Sequence, residues 1–265
     1  MATRIITITS GKGGVGKTTT TANLGVALAS LGQRVVVVDT DVGLRNLDIL
    51  LGLQNRIIYD VVDVIEGRCR LRQALIRDRV QPELYLLPAS QTREKSAVRP
   101  ADLGSVCDQL EGSADVVLLD SPAGIEHGFR TAIAPAREFV VVTTPDQPAI
   151  QDADRVLGIL EESDRRCLGL VVNRVHPDLM RRQEIPSPEE IAATLSIPLL
   201  GAIPDDDQIM LANTRGEPVA HALDSGPGPL FIDVARRLLG EEIPVAPLRE
   251  ARPRWLQRLG LGRWS

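Results

Sequence analysis

Short apolar runs alternate with helical patterns along almost the whole chain. The runs are rich in Val, Ile and Leu, which is typical of buried strands, and stretches of helical period separate most of them. The predicted strands are 4–10, 35–39, 84–87, 116–120, 139–143, 168–173 and 199–203. The predicted helices include 19–31, 149–162, 189–196 and 230–239. This alternation predicts an α/β protein with a mostly parallel, twisted sheet and helices on both faces.

The pattern predicts one α/β domain followed by a short C-terminal extension. The body, residues 1–240, is long enough to bury a large core, and no apolar run reaches the length of a membrane-spanning helix. Prolines between 243 and 253 indicate a linker, which we place at 241–253, and the tail is 254–265.

Polar residues stand at the ends of several predicted strands. Ligands of parallel α/β sheets bind beyond the carboxyl ends of the strands. The sequence therefore predicts one site assembled from several strands. The strand-end residues are Asp39, Asp120, Asn173, Pro204 and Asp205.

The loop after the first strand carries a phosphate-binding pattern. Gly11, Gly16, Lys17 and Thr18 complete G-x-x-x-x-G-K-[ST] between a β-branched run and a helical pattern. Glycines let backbone N–H groups approach phosphate oxygens, and the helix N-terminus adds positive potential. This predicts a P-loop NTPase in which Lys17 reaches the β- and γ-phosphates and the Thr18 hydroxyl binds Mg²⁺. The loop residues expected to contact the nucleotide are Gly11, Lys12, Gly13, Gly14, Val15, Gly16, Lys17, Thr18 and Thr19.

A second lysine in this loop, Lys12, is not required by the pattern. The chain has 30 basic residues, of which only Lys12, Lys17 and Lys95 are lysines. One interpretation is a solvated residue that raises the local positive potential. The sharper interpretation is a second cation for the γ-phosphate, supplied across a dimer interface as an arginine finger is.

Carboxylates close two predicted strands. Asp120 follows Val116-Val117-Leu118-Leu119, the position expected for a Walker B aspartate that holds Mg²⁺ through water, and the alternative is an ordinary helix cap. Asp39 and Asp41 point to the same side of their strand. We expect Asp39 to orient metal-bound water and Asp41 to orient or deprotonate the attacking water, although Asx turns would explain either residue alone.

Asn173 and Arg174 end a later strand. An Asn amide can pair with both edges of an adenine, and an arginine plane can stack on it. A polar loop without a ligand is the alternative at this point.

Charge and cysteines narrow the function classes. The total charge is −5, yet residues 249–265, which include the tail, carry five Arg and one Glu, so this stretch is +4 and the rest of the chain is −9. An acidic body repels nucleic acid and anionic lipid, so the tail is where an anionic surface would be met. Cys69, Cys107 and Cys167 have no C-x-x-C spacing and indicate reduced thiols, not an iron–sulfur or metal site within one chain.

The motifs together resemble a known family. SGKGGVGKTT at 10–19, VVVVDTDVGLRNLDILLG at 35–52 and DSPAGIE at 120–126 are similar to the division-site ATPases of the ParA/MinD family of deviant Walker A ATPases. LLPASQTREK at 86–95, RVLGIL at 155–160, NRVHP at 173–177 and GEPV at 216–219 extend the likeness over nearly the whole chain. The first block indicates only the wider family, whereas GLRNLD and LLPASQTR are more specific to the division-site branch.

The resemblance implies a homodimer that encloses two ATP molecules with Mg²⁺. It implies that Lys12 reaches the partner's nucleotide and that Asp41 positions the hydrolytic water, so that Lys12, Lys17 and Asp41 are the catalytic residues. Metal binding falls to Thr18, Asp39 and Asp120. Asn46 would lie near the phosphates at the dimer face. Asn173, Arg174, Pro204 and Asp205 would surround the adenine.

The resemblance also implies partners and a membrane. The partners are the division inhibitor MinC and the topological factor MinE, which stimulates hydrolysis. Members of the family end in a short amphipathic helix that binds the anionic lipids of the inner membrane, so the protein is expected in the cytoplasm and reversibly on that membrane. Here the matching residues are Trp255, Leu256, Arg258 and Leu259. Gly260 and Gly262 depart from the family pattern and weaken the helix, and a basic tail that does not bind lipid is the alternative.

Three other functions share parts of this pattern. A ParA-type partition ATPase would want a basic DNA-binding face, whereas this body is acidic. A flagellar-number regulator of the same class is separated only by the more specific motifs. A metabolic P-loop ligase leaves Lys12 and the tail without a role.

Overall fold

One eight-stranded sheet organises the molecule. The computed structural model describes residues 2–91, 93, 98–125 and 127–248. The strands, numbered along the chain, are β1 Arg4–Thr9, β2 Val35–Asp39, β3 Ile76–Arg77, β4 Leu84–Leu87, β5 Val116–Asp120, β6 Glu138–Thr143, β7 Arg166–Val175 and β8 Leu199–Pro204. Their spatial order is β3-β4-β2-β5-β1-β6-β7-β8. Every neighbouring pair is parallel except β3 with β4.

Helices cover both faces of this sheet. The α-helices of the described residues are α1 Lys17–Ser30, α2 Leu47–Leu50, α3 Val61–Ile65, α4 Leu71–Ala74, α5 Pro100–Asp108, α6 His127–Ile133, α7 Gln147–Glu162, α8 Pro177–Arg181, α9 Pro188–Thr194, α10 Asp207–Arg215 and α11 Gly228–Leu238. Apolar side chains of α1, α2 and α11 pack on one face, and those of α3 to α7 and α9 pack on the other. The predicted fold class is therefore confirmed.

Two features of the sheet differ from the prediction. The chain has an additional strand, β3, which is two residues long and pairs antiparallel with β4 at the edge. β7 extends beyond the predicted 168–173 at both ends. An edge strand of two residues has no apolar run to reveal it, because one of its two side chains is exposed.

The topology places the central loop among several strand ends. β1 lies between β5 and β6, and the chain crosses to β2 on one side and to β6 on the other. A crevice outside the carboxyl ends of the strands forms where the strand order reverses in this way. The register sets Asp120 opposite both Ile8 and Asp39.

The segment after α11 runs along the body instead of leaving it. Arg237 donates hydrogen bonds from Nε to the Ile243 carbonyl at 2.9 Å, from Nη1 to the Leu200 carbonyl at 2.7 Å, and from Nη2 to the Pro244 carbonyl. Leu248 packs against the core on the face opposite to α11. Residues 241–248 of the predicted linker therefore cross the edge strand β8.

The predicted tail lies outside the described residues. This applies to 254–265, and with it to Trp255, Leu256, Arg258 and Leu259. Among the described residues, no helix has the length and hydropathy that a membrane span requires.

Candidate nucleotide-binding site

The loop between β1 and α1 has a backbone that glycine makes possible. Gly14 and Gly16 have φ angles of 81° and 95°, in the left-handed region. At Gly16 a side chain is also excluded by space, because a Cβ there would lie 2.1 Å from Nδ2 of Asn173. The same Asn173 nitrogen donates to the Val15 carbonyl at 2.8 Å. The loop therefore contacts the end of β7 directly.

Lys17 is buried beneath this loop. Its Nζ donates to Ser10 Oγ at 2.8 Å and to the Lys12 carbonyl at 3.3 Å. Burial lowers the pKa of Lys17, and the charges of Asp120 and Asp41 oppose that shift. An ammonium that is partly stripped of water and close to two carboxylates interacts strongly with any further anion at this position.

Lys12 has different surroundings from Lys17. Its Nζ forms an ion pair with Asp146 Oδ1 at 3.1 Å, and the two side chains are 43% and 46% exposed. Asp146 caps α7 by accepting from the Ala149 amide at 3.2 Å and also accepts from the Thr144 hydroxyl. Exposed pairs of this kind contribute only about 0.2–1 kcal/mol. Lys12 is thus held at the surface by a contact that costs little to break.

Two buried carboxylates lie beside Lys17. Asp39 and Asp120 are adjacent in the sheet register, and both are almost completely buried. Burial, and then the charge of Asp39, raise the pKa of Asp120 to about 7, although hydrogen bonds from the Thr18 and Thr21 hydroxyls oppose the shift. Burial raises the pKa of Asp39 to about 6. Two such acids next to each other are costly to keep ionised without a cation.

Asp39 also fixes the loop that follows its strand. Its Oδ1 accepts from the Asp41 amide at 2.9 Å, and its Oδ2 accepts from the amides of Asn46 and Leu47 at 3.2 Å each. The hydrogen bond from the Asp41 amide forms the Asx turn that the sequence offered as the alternative for Asp39. The contacts with the amides of Asn46 and Leu47 were not predicted.

The donor atoms at this edge of the sheet fit Mg²⁺. Mg²⁺ in phosphate sites takes one or two carboxylates, keeps several waters and shares substrate phosphates. Thr18 and Asp120 offer a hydroxyl and a carboxylate that already contact each other, and the charge of Lys17 does not offset the rise in the pKa of Asp120 that burial and Asp39 cause. Asp39 uses both oxygens for backbone amides, so it fits a contact through water better than a direct bond.

A cavity of about 400 Å³ opens beside the loop, on the side of β7 and β8. The predicted base-binding residues Asn173, Arg174, Pro204 and Asp205 all line it, together with Gly16 and Thr19. The structure thus brings these predicted residues together. We call this space the base-side cavity. The other residues lining it, which sequence reasoning missed, are Asp206, Ile209, Met210, Asn213 and Thr214.

The missed residues share one origin. They belong to α10 or precede it, and α10 has no buried residue that would give it an apolar stripe. Because α10 contributes only the partly buried Ile209 to the core and otherwise covers a cavity, its sequence lacks the periodicity that reveals a packed helix. The N-cap residue of α10 could have revealed the helix, because Asp206 accepts from the Gln208 amide at 2.7 Å.

A second cavity, of about 440 Å³, lies beside the first part of the loop and the residues that follow β6. It is lined by Lys12, Gly13, Gly14, Val15, Thr144, Pro145, Asp146, Arg174, His176 and Ile185. Lys17 and the two buried carboxylates line neither cavity. Asn46, predicted to approach the phosphates, is exposed and lines neither cavity.

The fold and site define a P-loop nucleotide-binding domain with the additional lysine of the deviant Walker A class. Residues 6–219 match the model of the CobQ/CobB/MinD/ParA nucleotide binding domain. The chain belongs to this family, and within it to the septum site-determining MinD proteins.

Relatives and solved structures agree over nearly the full length. The chain is 48% identical to the septum site-determining protein MinD of Synechocystis sp., over 97% of each chain. It is similar to MinD in the MinC:MinD complex of Aquifex aeolicus, with a TM-score of 0.85 and 41% identity, over 93% of this chain and 100% of that one. MinD of Pyrococcus horikoshii, solved with Mg-ADP, gives a TM-score of 0.81 at 33% identity, over 91% of this chain and 100% of that one.

Proposed function

We propose that the protein is an ATP-dependent switch that dimerises around two Mg²⁺–ATP molecules, binds the inner membrane and recruits MinC to place the division septum. Membership of the MinD family supports the division function. The relative solved with Mg-ADP supports Mg²⁺–nucleotide as the ligand, and the relative solved with MinC supports that partner.

The different surroundings of the two loop lysines carry this proposal. Lys17 lies under the loop, where Asp41 and Asp120 influence its pKa, and accounts for the phosphates of its own chain. Lys12 points to an exposed ion pair and lines the other cavity. A cation in that position is suited to a nucleotide held by a second subunit, and only a loose contact with Asp146 must be given up.

This proposal gives each side chain of the site a role in nucleotide binding or hydrolysis. Lys17 binds the β- and γ-phosphates, and bound Mg²⁺ would neutralise developing charge on the phosphate oxygens while Thr18, Asp120 and, through water, Asp39 hold it. Asp41 orients the attacking water, and its backbone is already fixed by Asp39. Lys12 of the partner subunit supplies charge from the opposite side. We assign stimulation of hydrolysis to a partner such as MinE.

Membrane binding is assigned to the C-terminal tail. Its arginines give it a positive charge while the body is negative, so an anionic bilayer attracts the tail and repels the body. A single short amphipathic segment binds weakly, whereas two on one dimer gain from effective concentration. Attachment is then controlled by ATP, because ATP controls dimerisation.

Vesicle sedimentation tests this function. The full chain is mixed with vesicles containing anionic lipid, with ATP and with ADP, and the same is done with a chain that ends at residue 249. We expect pelleting in ATP, little in ADP, and none in ATP without the tail. Equal pelleting in ATP and ADP would contradict the switch.

MinC recruitment is measured in the same assay. Added MinC should pellet only with ATP and only with the full-length chain. A matched control uses vesicles of neutral lipid, on which neither protein should pellet. Pelleting of MinC with the tail-less chain would show that its recruitment to the vesicles does not pass through this protein.

A further inference from the structure

A hydrogen bond joins the helix over the base-side cavity to the helix that begins at the P-loop. Asn213 Nδ2 donates to Thr19 Oγ1 at 3.2 Å, and the two residues are 194 positions apart in the chain. Both side chains line the base-side cavity. The contact therefore links two elements at the place where a nucleotide passes from its base to its phosphates.

The direction of this hydrogen bond decides what Thr19 can do. A hydroxyl has one hydrogen to donate and two lone pairs that accept. Since the Asn213 amide donates to Oγ1, the Thr19 hydrogen remains for another acceptor. Thr19 lies one residue beyond Thr18, in the first turn of α1, and it lines the cavity that also holds Asn173 and Asp205. An anionic oxygen near that turn is the acceptor favoured by the helix N-terminus.

Asn213 is held in place by contacts at both ends of its helix. Just before α10, the Asp205 amide donates to the Val175 carbonyl of β7 at 2.9 Å. At the other end Gly216 has a φ of 67° and approaches Gly52 so closely that a Cβ on Gly216 would lie 2.7 Å from the Gly52 Cα. A helix restrained at both ends keeps the amide of Asn213 at a fixed distance from Thr19.

We propose that Asn213 is a positioning residue that holds the Thr19 hydroxyl as a donor to the α-phosphate. The α-phosphate is the one nearest the base, and Thr19 lies between the base-side residues and the loop that surrounds Lys17. This inference rests on the proposed binding of a nucleotide at the P-loop. It adds a specific role for a residue of α10, the helix that covers the base-side cavity.

The test is a double-mutant cycle on the affinity for ATP and ADP, measured by calorimetry with Asn213→Ala, Thr19→Val and the double variant. We expect Asn213→Ala to weaken both nucleotides by the same factor, about three- to ten-fold, because both contain the α-phosphate. In the Thr19→Val background the second substitution should change nothing. Losses that simply multiply in the double variant would overturn the proposal, since Asn213 would then act without Thr19.

Two further variants separate positioning from packing. Asn213→Asp keeps the shape but can only accept, so it takes the Thr19 hydrogen itself, and we expect a larger loss than with alanine. Affinity equal to that of the unchanged protein overturns the proposal. Leu211→Ala lies on the same helix outside the cavity and is the control expected to have no effect. If the unchanged chain itself fails to bind ATP, it is the proposed function that fails.

Discussion

The side chains of Asp39 and Asp120 lower the stability of the protein but serve its function. They are neighbours in the sheet and both are buried; burial raises both pKa values, and the charge of Asp39 raises that of Asp120 further. A protein under selection for stability alone would have an apolar or amide side chain at one of these positions. Their cost is explained if a cation and a polyphosphate normally occupy the site, because the carboxylates are then matched by charge.

We predict that Asp120→Asn stabilises the nucleotide-free protein by about 1–3 kcal/mol at neutral pH and abolishes Mg²⁺-dependent nucleotide binding. The pKa of Asp120 is about 7 in the folded protein and about 4 when unfolded. Protonation of Asp120 therefore stabilises the folded protein fully below about pH 4, and this stabilisation is lost as the pH rises to 7. The melting temperatures of the two proteins should converge in acid and separate toward neutral pH. A constant difference across that range would contradict the account.

Gly16 and Gly32 share a backbone conformation but differ in the space available to a side chain. Both have a left-handed backbone, with φ of 95° and 84°, but a side chain meets Asn173 only at Gly16, and nothing lies within 4 Å at Gly32. Gly32→Ala should cost about 1 kcal/mol of backbone strain and leave nucleotide affinity unchanged. Gly16→Ala should cost more and abolish nucleotide binding, because the loop and Asn173 cannot both keep their places. Thermal unfolding with and without nucleotide measures both effects.

Elements in this protein differ in how well their sequences predict them. The buried strands and α1 were predictable, since β-branched runs and helical periodicity are direct consequences of burial on a parallel sheet. The P-loop was predictable because phosphate chemistry fixes residue types at fixed spacing. β3 and α10 were missed because the packing that gives a sequence its periodicity is absent in a two-residue edge strand and in a helix over a cavity.

The hydrogen bonds of the site were likewise not predictable from the sequence. That Asp39 binds three backbone amides depends on how the chain folds back at Asn46, which spacing does not determine. The contact of Asn173 with Val15 joins residues 158 apart, and no local pattern encodes it. Sequence analysis thus predicted which residues gather at the site, while their hydrogen bonds required the structure.

The segment after α11 provides a test at the scale of an element. Arg237 binds three backbone carbonyls on β8 and on the segment 241–248, whereas its neighbour Arg236 pairs with the Glu241 side chain. We predict that Arg237→Ala costs about 1–2 kcal/mol and accelerates amide exchange in 241–248, because a carbonyl of β8 loses its donor. Arg236→Ala removes the same charge but only the ion pair with Glu241, so exchange in 243–248 should stay nearly unchanged. Equal exchange in the two variants would contradict this role for Arg237.

In the whole molecule, the charge distribution and the two loop lysines together link dimerisation to membrane binding. An acidic body with a basic tail has little affinity for an anionic surface except through the tail. Lys12, exposed and weakly paired with Asp146, is free to act at an interface with a second copy. We therefore predict that dimerisation, not the binding of nucleotide by one chain, controls attachment to the membrane.

Substitutions of Lys12 and of Lys17 should separate nucleotide binding from dimerisation. Lys12→Ala is expected to bind ATP with nearly unchanged affinity but to remain monomeric in size-exclusion chromatography with light scattering. Lys17→Ala is expected to lose ATP binding itself, because it removes the cation buried beside the phosphate site. ATP-dependent dimers of Lys12→Ala that are as stable as those of the unchanged protein would contradict the role given to Lys12.

The most direct measurement of the central claim is complementation between two inactive subunits. Lys12→Ala and Asp41→Ala are mixed, and ATP turnover is compared with that of each variant alone, in the presence of anionic vesicles and a stimulating partner. If Lys12 acts on the partner's nucleotide, the mixed dimer has one site that keeps both Asp41 and Lys12. Turnover of the mixture should then clearly exceed the sum of the turnovers of the two variants alone. Turnover no greater than the sum of the two variants would show that Lys12 acts within its own chain, and the account would be wrong.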